Sequence, residues 1–220
     1  MVKYYRMHTG ITADKLKDNP EFKLVRILSH DEVVEFVISQ IKQLRWPMLS
    51  FYLLLTALLT KIIAFSLHNV VIRSVSWPDY WLFLVMGTVA GMIIVIPFHE
   101  LVHGLAYRLA GAKKIKYGAD IRQMLFYASA PGFVAGKTTF YFVAFSPFII
   151  INAIFVTGIL LGSPDWKWAS LVALTVHSSM CIGDFAMVNF FARFPGKEVL
   201  TFDEDNTRKS YFYIKTPSNS

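Results

Sequence analysis

Residues 79–109 read DYWLFLVMGTVAGMIIVIPFHELVHGLAYRL. Between Asp79 at one end and Arg108 at the other, every acidic, basic or imidazole side chain falls in one five-residue run, His99-Glu100-Leu101-Val102-His103. The rest is apolar and reads as a membrane-crossing helix. At about 30 residues it exceeds the ~20 that cross a bilayer, so it should tilt, kink near Pro97 or protrude. On a helix, positions i and i+4 share a face, so both imidazoles can reach one metal ion. The glutamate between them can take a proton from a metal-bound water. Three ionisable groups within five residues of a lipid-embedded helix need such a purpose.

The remainder of the chain agrees with a membrane setting. Of its 220 residues, 55% are hydrophobic and 17% charged, and the mean hydropathy is +0.45. The charges are nearly absent from long apolar blocks, as in a polytopic membrane protein. The net charge of +7 comes from basic residues flanking those blocks, so it points to lipid headgroups and topology and not to nucleic acid. Cys181, the only cysteine, rules out an intramolecular disulfide or a multi-cysteine zinc site. The first 25 residues carry no apolar signal-peptide core, so the first span is expected to act as its own insertion signal.

The spacing predicts an all-α membrane protein of about four transmembrane helices. They lie near Pro47–Val70, Asp79–Leu109, Phe140–Leu161 and Trp166–Phe191. Ser29-His30-Asp31-Glu32 resembles a capping box before a short helix with Val33, Val34, Phe36, Val37, Ile38, Ile41 and Leu44 apolar, either amphipathic at the membrane surface or packed on the protein. Between spans two and three, Lys113–Asp120, Met124–Ala128 and Thr138–Val143 are strand-prone, and Pro131-Gly132 marks a turn. They suggest a small β-hairpin or ribbon at about 112–140, on the cytoplasmic face. A further strand is expected at Ser210–Lys215. The domain reading is a cytoplasmic segment 1–46, a membrane-embedded core 47–191 and a cytoplasmic tail 192–220.

Lysine and arginine placement orients the spans. Arg108, Lys113, Lys114, Lys116, Arg122 and Lys137 lie between spans two and three, Lys42 and Arg45 precede span one, and Arg193 and Lys197 follow span four. The opposite loops hold only Arg73 and Lys167. This predicts a multi-pass protein of the cell membrane with both termini cytoplasmic.

A catalytic zinc site takes three protein ligands and leaves a position for water. His99 and His103 supply two. Span four offers His177, Cys181 and Asp184 at i, i+4 and i+7, one polar stripe on an apolar helix. Asp184 is the best candidate, because a lone carboxylate in lipid is costly unless a cation meets it. Gly183 beside it would allow close approach. His177 is the rival, though on a straight helix it would lie about 10 Å from the level of Asp184; a helix–helix hydrogen bond suits it better. Cys181 reads as a small buried hydrophobe, Asn152 as a packing residue or a substrate-orienting one, and Asp120 as a solvated loop carboxylate.

Three stretches, PFHELVHGLAYR (97–108), KYGADIRQMLFYASAPG (116–132) and HSSMCIGDF (177–185), carry a resemblance to a small bacterial family of putative zincin peptidases. More distantly the chain resembles the site-2 protease group of intramembrane metallopeptidases. The resemblance implies that His99 and His103 bind zinc, that Asp184 is the third ligand and that Glu100 is catalytic. Site-2 proteases usually carry Asn-Pro and Leu-Asp-Gly motifs, whereas here the acidic residue sits in Ile182-Gly183-Asp184-Phe185.

The expected function is hydrolysis of peptide bonds in or near the bilayer by a Zn2+ metalloprotease with Glu100 as general base. The substrate would be a membrane protein or peptide, unwound and held by strand addition to the ribbon. The alternatives are a membrane hydrolase of a non-peptide substrate and a non-catalytic metal-binding protein. Oligomeric state is open.

Overall fold

The computed structural model describes residues 10–72, 74–121, 125–204 and 206–216. Arg73 and Arg122 of the topology count and Met124 of the strand-prone stretch lie outside them. The chain is mostly helical. Helix α1 (Ala13–Lys17) and strand β1 (Phe22–Ser29) precede α2 (Val33–Ile41) and the long α3 (Trp46–Ile72). Then come α4 (Trp77–Val89), a π turn at Ala90–Ile94, and α5 (Val95–Leu109). A hairpin of β2 (Lys116–Asp120) and β3 (Leu125–Ser129) leads through β4 (Ala135–Gly136) into α6 (Lys137–Leu161). Helices α7 (Pro164–Met180) and α8 (Ile182–Phe191) and strands β5 (Val199–Glu204) and β6 (Lys209–Lys215) complete the order.

Three stretches, α3, α4 through α5, and α6, are long and apolar enough to cross a membrane, and α7 with α8, bent by 42°, qualify together as a fourth. Along α3, Leu53, Leu59, Ile63 and Leu67 are each more than half exposed. A continuous apolar face of this kind is far larger than water-soluble surfaces carry, and it suits acyl chains. The 33 residues of Trp77–Leu109 would reach about 50 Å at 1.5 Å per residue. Within them the break falls at the π turn, where the Val95 amide donates to the Ala90 carbonyl. Pro97 lies just beyond and offers no amide to Ile93, so the wider turn takes up the mismatch; a kink near the proline was one of the three outcomes expected, beside tilt and protrusion.

Small residues set the helix spacing. Gly87 and Gly91, four apart on α4 and the π turn, meet α7. A Cβ on Gly87 would lie 2.5 Å from the Ala169 carbonyl oxygen, and one on Gly91 would lie 2.9 Å from Val176 Cβ. This is the small-xxx-small contact by which membrane helices approach closely. Trp168 of α7 anchors the same interface. Phe65 of α3 and Tyr80 of α4 stack on it at 4.9 and 4.8 Å, and its Nε1–H donates to the Tyr80 carbonyl at 2.9 Å.

The strand expected at Ser210–Lys215 forms as β6, but the expectation of an otherwise all-α chain with only a ribbon beside it is corrected. Strands from both ends of the sequence form a four-stranded antiparallel sheet, β1-β6-β5-β4, pairing Phe22 with Lys215, Val199 with Ile214 and Ala135 with Thr201. One buried cluster joins Leu16, Phe22, Val134, Leu200, Phe202 and Tyr213. Another joins Leu28, Val199 and Phe212 to Phe36 of α2 and Phe190 and Phe191 of α8. The sheet is therefore fixed to the end of the helical bundle.

Other expectations shift locally. The ribbon forms as the β2–β3 hairpin, with Gly118 opposite Tyr127. Thr138–Val143 belongs to α6. Its β-branched and aromatic residues favour strand only weakly, and an apolar segment must satisfy its backbone internally, which a helix does. Ser29 ends β1 and makes no side-chain cap for His30–Glu32, so the capping box is not formed. Asp120 ends β2 and lies 3.7 Å from Arg208 Nη2, which makes it a partnered strand residue.

Candidate metal centre

Helix α5 presents His99 and His103 on one face. Their Nε2 atoms are 3.1 Å apart. Asp184, in the first turn of α8, places Oδ2 at 3.2 Å from His99 Nε2 and Oδ1 at 3.3 Å from His103 Nε2. The bend at Cys181 starts a new helix three residues before the carboxylate and turns it toward α5. Ligand atoms around one tetrahedral ion at 2.0–2.1 Å stand about 3.3 Å from each other, and these three side chains already have that spacing. Two imidazole nitrogens and a carboxylate are also a donor set that suits Zn2+.

The outer nitrogens of both rings are engaged. His103 Nδ1 donates to the backbone carbonyl of Val143 in α6 at 3.0 Å. His99 Nδ1 lies 3.2 Å from His177 Nε2, and His177 Nδ1 lies 2.7 Å from Asn152 Oδ1. Hydrogen bonds on the outer nitrogen fix ring orientation and direct the inner nitrogen toward a shared point. His177 thus stands behind His99, on the side away from Asp184. Cys181 is fully buried, and its Sγ–H donates to the His177 carbonyl.

Glu100 occupies the next position on α5, and its carboxylate comes within 4.8 Å of both histidine ligand atoms. It accepts a hydrogen bond from the Ala128 amide of β3. That contact shows that the edge of β3 not paired with β2 faces the site. Gly104 seats the hairpin, because a Cβ there would collide with the Tyr117 ring of β2. Gly183 does not have the role expected of it. A Cβ on Gly183 would meet open space, because the residue lines a cavity.

That cavity, of ≈ 270 Å³, is bounded by His99, Glu100, His103 and Asp184, by β3, and by His30 and Asp203 near the four-stranded sheet. Asp203 accepts from the Ser210 hydroxyl at 2.6 Å. Burial raises its pKa above the usual carboxylate range, against the pull of that bond. Burial also lowers the pKa of His30 below its ordinary value of 6.5, and its Nδ1 is buried without a hydrogen-bond partner among the described residues. Sequence reasoning missed Val143, His30 and Asp203. For Val143 a signal was present, a proline four residues later. For His30 and Asp203 there was none, because only the sheet brings them to the cavity.

A helix that pairs two histidines around a glutamate, faced by an aspartate from another helix, makes a candidate metal centre. The profile of the family described as "Putative zincin peptidase" matches residues 92–199, and over this stretch the chain belongs to that family. The matched region runs from the π turn to the first residue of β5 and includes His99, Glu100, His103, Asn152, His177 and Asp184. Comparison with curated proteins and with solved structures gives no match.

Proposed function

We propose that this chain is a membrane-embedded zinc metallopeptidase that hydrolyses peptide bonds in or beside the bilayer. In this reading His99, His103 and Asp184 hold the ion and Glu100 is the general base. A zinc ion held there would polarise a water and the substrate carbonyl. Glu100 would take the proton from the water and return it to the leaving amine. The Ala128 amide holds the glutamate over the cavity until then.

The observation that carries the reading is the position of Glu100, a carboxylate directed into the cavity between two imidazoles whose Nε2 atoms converge on a third ligand. A metal carrier needs no base at that point. The substrate is a membrane protein or peptide, extended along the cavity-facing edge of β3 by strand addition, so that its backbone passes Glu100. In this reading the site lies in a cell membrane with both termini cytoplasmic; helices long and apolar enough to cross a bilayer and the basic residues in the loops support it.

The test combines metal content with hydrolysis of membrane-spanning peptides by purified protein. Glu100→Gln should keep the metal and lose turnover. His99→Ala and Asp184→Ala should lose both. Turnover retained in Glu100→Gln would remove the base from the reading.

A further inference from the structure

We propose that His177 is a positioning residue for the metal centre, and that Asn152 sets the tautomer that lets it act. This rests on the metallopeptidase reading and adds a second layer to it. The argument follows the hydrogen bonds outward from His99. Asn152 Nδ2 donates to the Ser178 hydroxyl at 3.0 Å, which leaves Asn152 Oδ1 facing His177 Nδ1 at 2.7 Å. An amide oxygen only accepts, so His177 Nδ1 carries the proton. The Nε2 of a neutral imidazole with that tautomer can only accept. Its neighbour at 3.2 Å, His99 Nδ1, is therefore the donor. His99 is left with a bare lone pair on Nε2, aimed between His103 and Asp184.

Behind His99 the links are shielded from water. His177 is 1% exposed, Ser178 0% and Asn152 9%. The chain of bonds crosses three helices, from α6 through α7 to α5, so it also ties the ring plane of His99 to the bundle. Both imidazole ligands end on neutral acceptors, His177 for one and the Val143 carbonyl for the other. A carboxylate in either place would add negative charge next to the ligands. Neutral acceptors orient the rings and leave the charge of a bound cation undiminished.

The experiment titrates Co2+ and Zn2+ into purified full-length protein and reads affinity against a competing chelator, with the visible cobalt spectrum as a report of ligand geometry. His177→Phe and Asn152→Leu should each weaken binding by about 10–100-fold and alter the spectrum. Asn152→Asp keeps an acceptor toward His177 and should stay within about threefold of wild type. His177→Gln, whose amide oxygen can accept from His99, should recover part of the loss. Unchanged affinity in His177→Phe would overturn the proposal. So would an Asn152→Asp variant as weak as Asn152→Leu, since that would mean Asn152 must donate. A second cobalt ion with a sulfur charge-transfer band lost in Cys181→Ser would also overturn it, by making His177 a ligand itself. If His177→Phe does not fold, as judged by circular dichroism and gel filtration, the Asn152 pair decides. Wild-type protein that binds no metal would instead overturn the metallopeptidase reading.

Discussion

Val143 and Pro147 stand one helical turn apart in α6, and that spacing delivers a free carbonyl to His103. In an uninterrupted helix the carbonyl of residue 143 accepts from the amide of residue 147. Proline has no amide hydrogen, and the Val143 oxygen accepts from His103 Nδ1 at 3.0 Å instead. A residue that weakens the helix thereby supplies the bond that orients a candidate ligand.

Pro147→Ala tests this relationship. The new amide at 147 would claim the Val143 carbonyl, and the helix would gain up to about 3 kcal/mol in its interior. Melting temperature should hold or rise while metal affinity falls by about tenfold. Opposite signs in the two measurements separate this effect from general damage, and unchanged affinity would count against it.

Ala128→Pro probes the β3 edge. The Ala128 amide donates to Glu100, so proline at this position removes that bond. The variant should bind metal like wild type and lose most of its hydrolysis, because both the hold on Glu100 and the edge for a substrate strand are disturbed. Full cleavage activity would exclude strand addition at this edge.

The glycine contact between α4 and α7 predicts a distant effect on the site. Gly87→Leu would force a side chain against the Ala169 backbone, 2.5 Å from the Cβ position, and overpacking of this kind costs about 1–3 kcal/mol. Because α7 carries His177 and the same apolar stretch carries His99, metal affinity should fall together with thermal stability. Loss of stability with affinity intact would show that the two helices are not coupled in this way.

His30 gives a pH dependence of stability. Its folded pKa lies below the unfolded value of 6.5 because burial disfavours the charged ring. Its contribution is therefore present above pH 6.5 and lost as pH falls through the folded pKa. Melting temperature of the metal-free protein should drop on acidification across this window, and less so in His30→Phe. Asp203 carries the opposite sign. Its folded pKa is raised, so its contribution is present at low pH and lost as pH rises through that value, and comparison of the two proteins at each pH reads the histidine together with its pull on Asp203. Identical pH profiles would rule out His30 as the source.

The apolar spans and the His-Glu-x-x-His run were legible because both are properties of one helix, length in one case and an i, i+4 face in the other. Strand β1 was hidden for a local reason. Its register shifts between Leu24 and Arg26, so the alternation that marks a strand breaks in the middle. The reading of His177 against Asp184 assumed a straight helix. The 42° bend between α7 and α8 leaves His177 behind His99 and sends Asp184 to its other side, and neither proline nor a run of glycines marks that break. The role of Asn152 needed three helices in place before its two ends acquired partners.

The pairing of β1 with β6 has a consequence for the order in which the protein is made. Thr201, Asp203, Ser210 and Phe212 help enclose the cavity, yet a ribosome reaches them only after all the apolar helices have emerged. A nascent chain with its histidines already inserted would still have an unfinished cavity. Closure waits for β6 to zip against β1, so the candidate metal centre stays open on that side until the helices before it have been made.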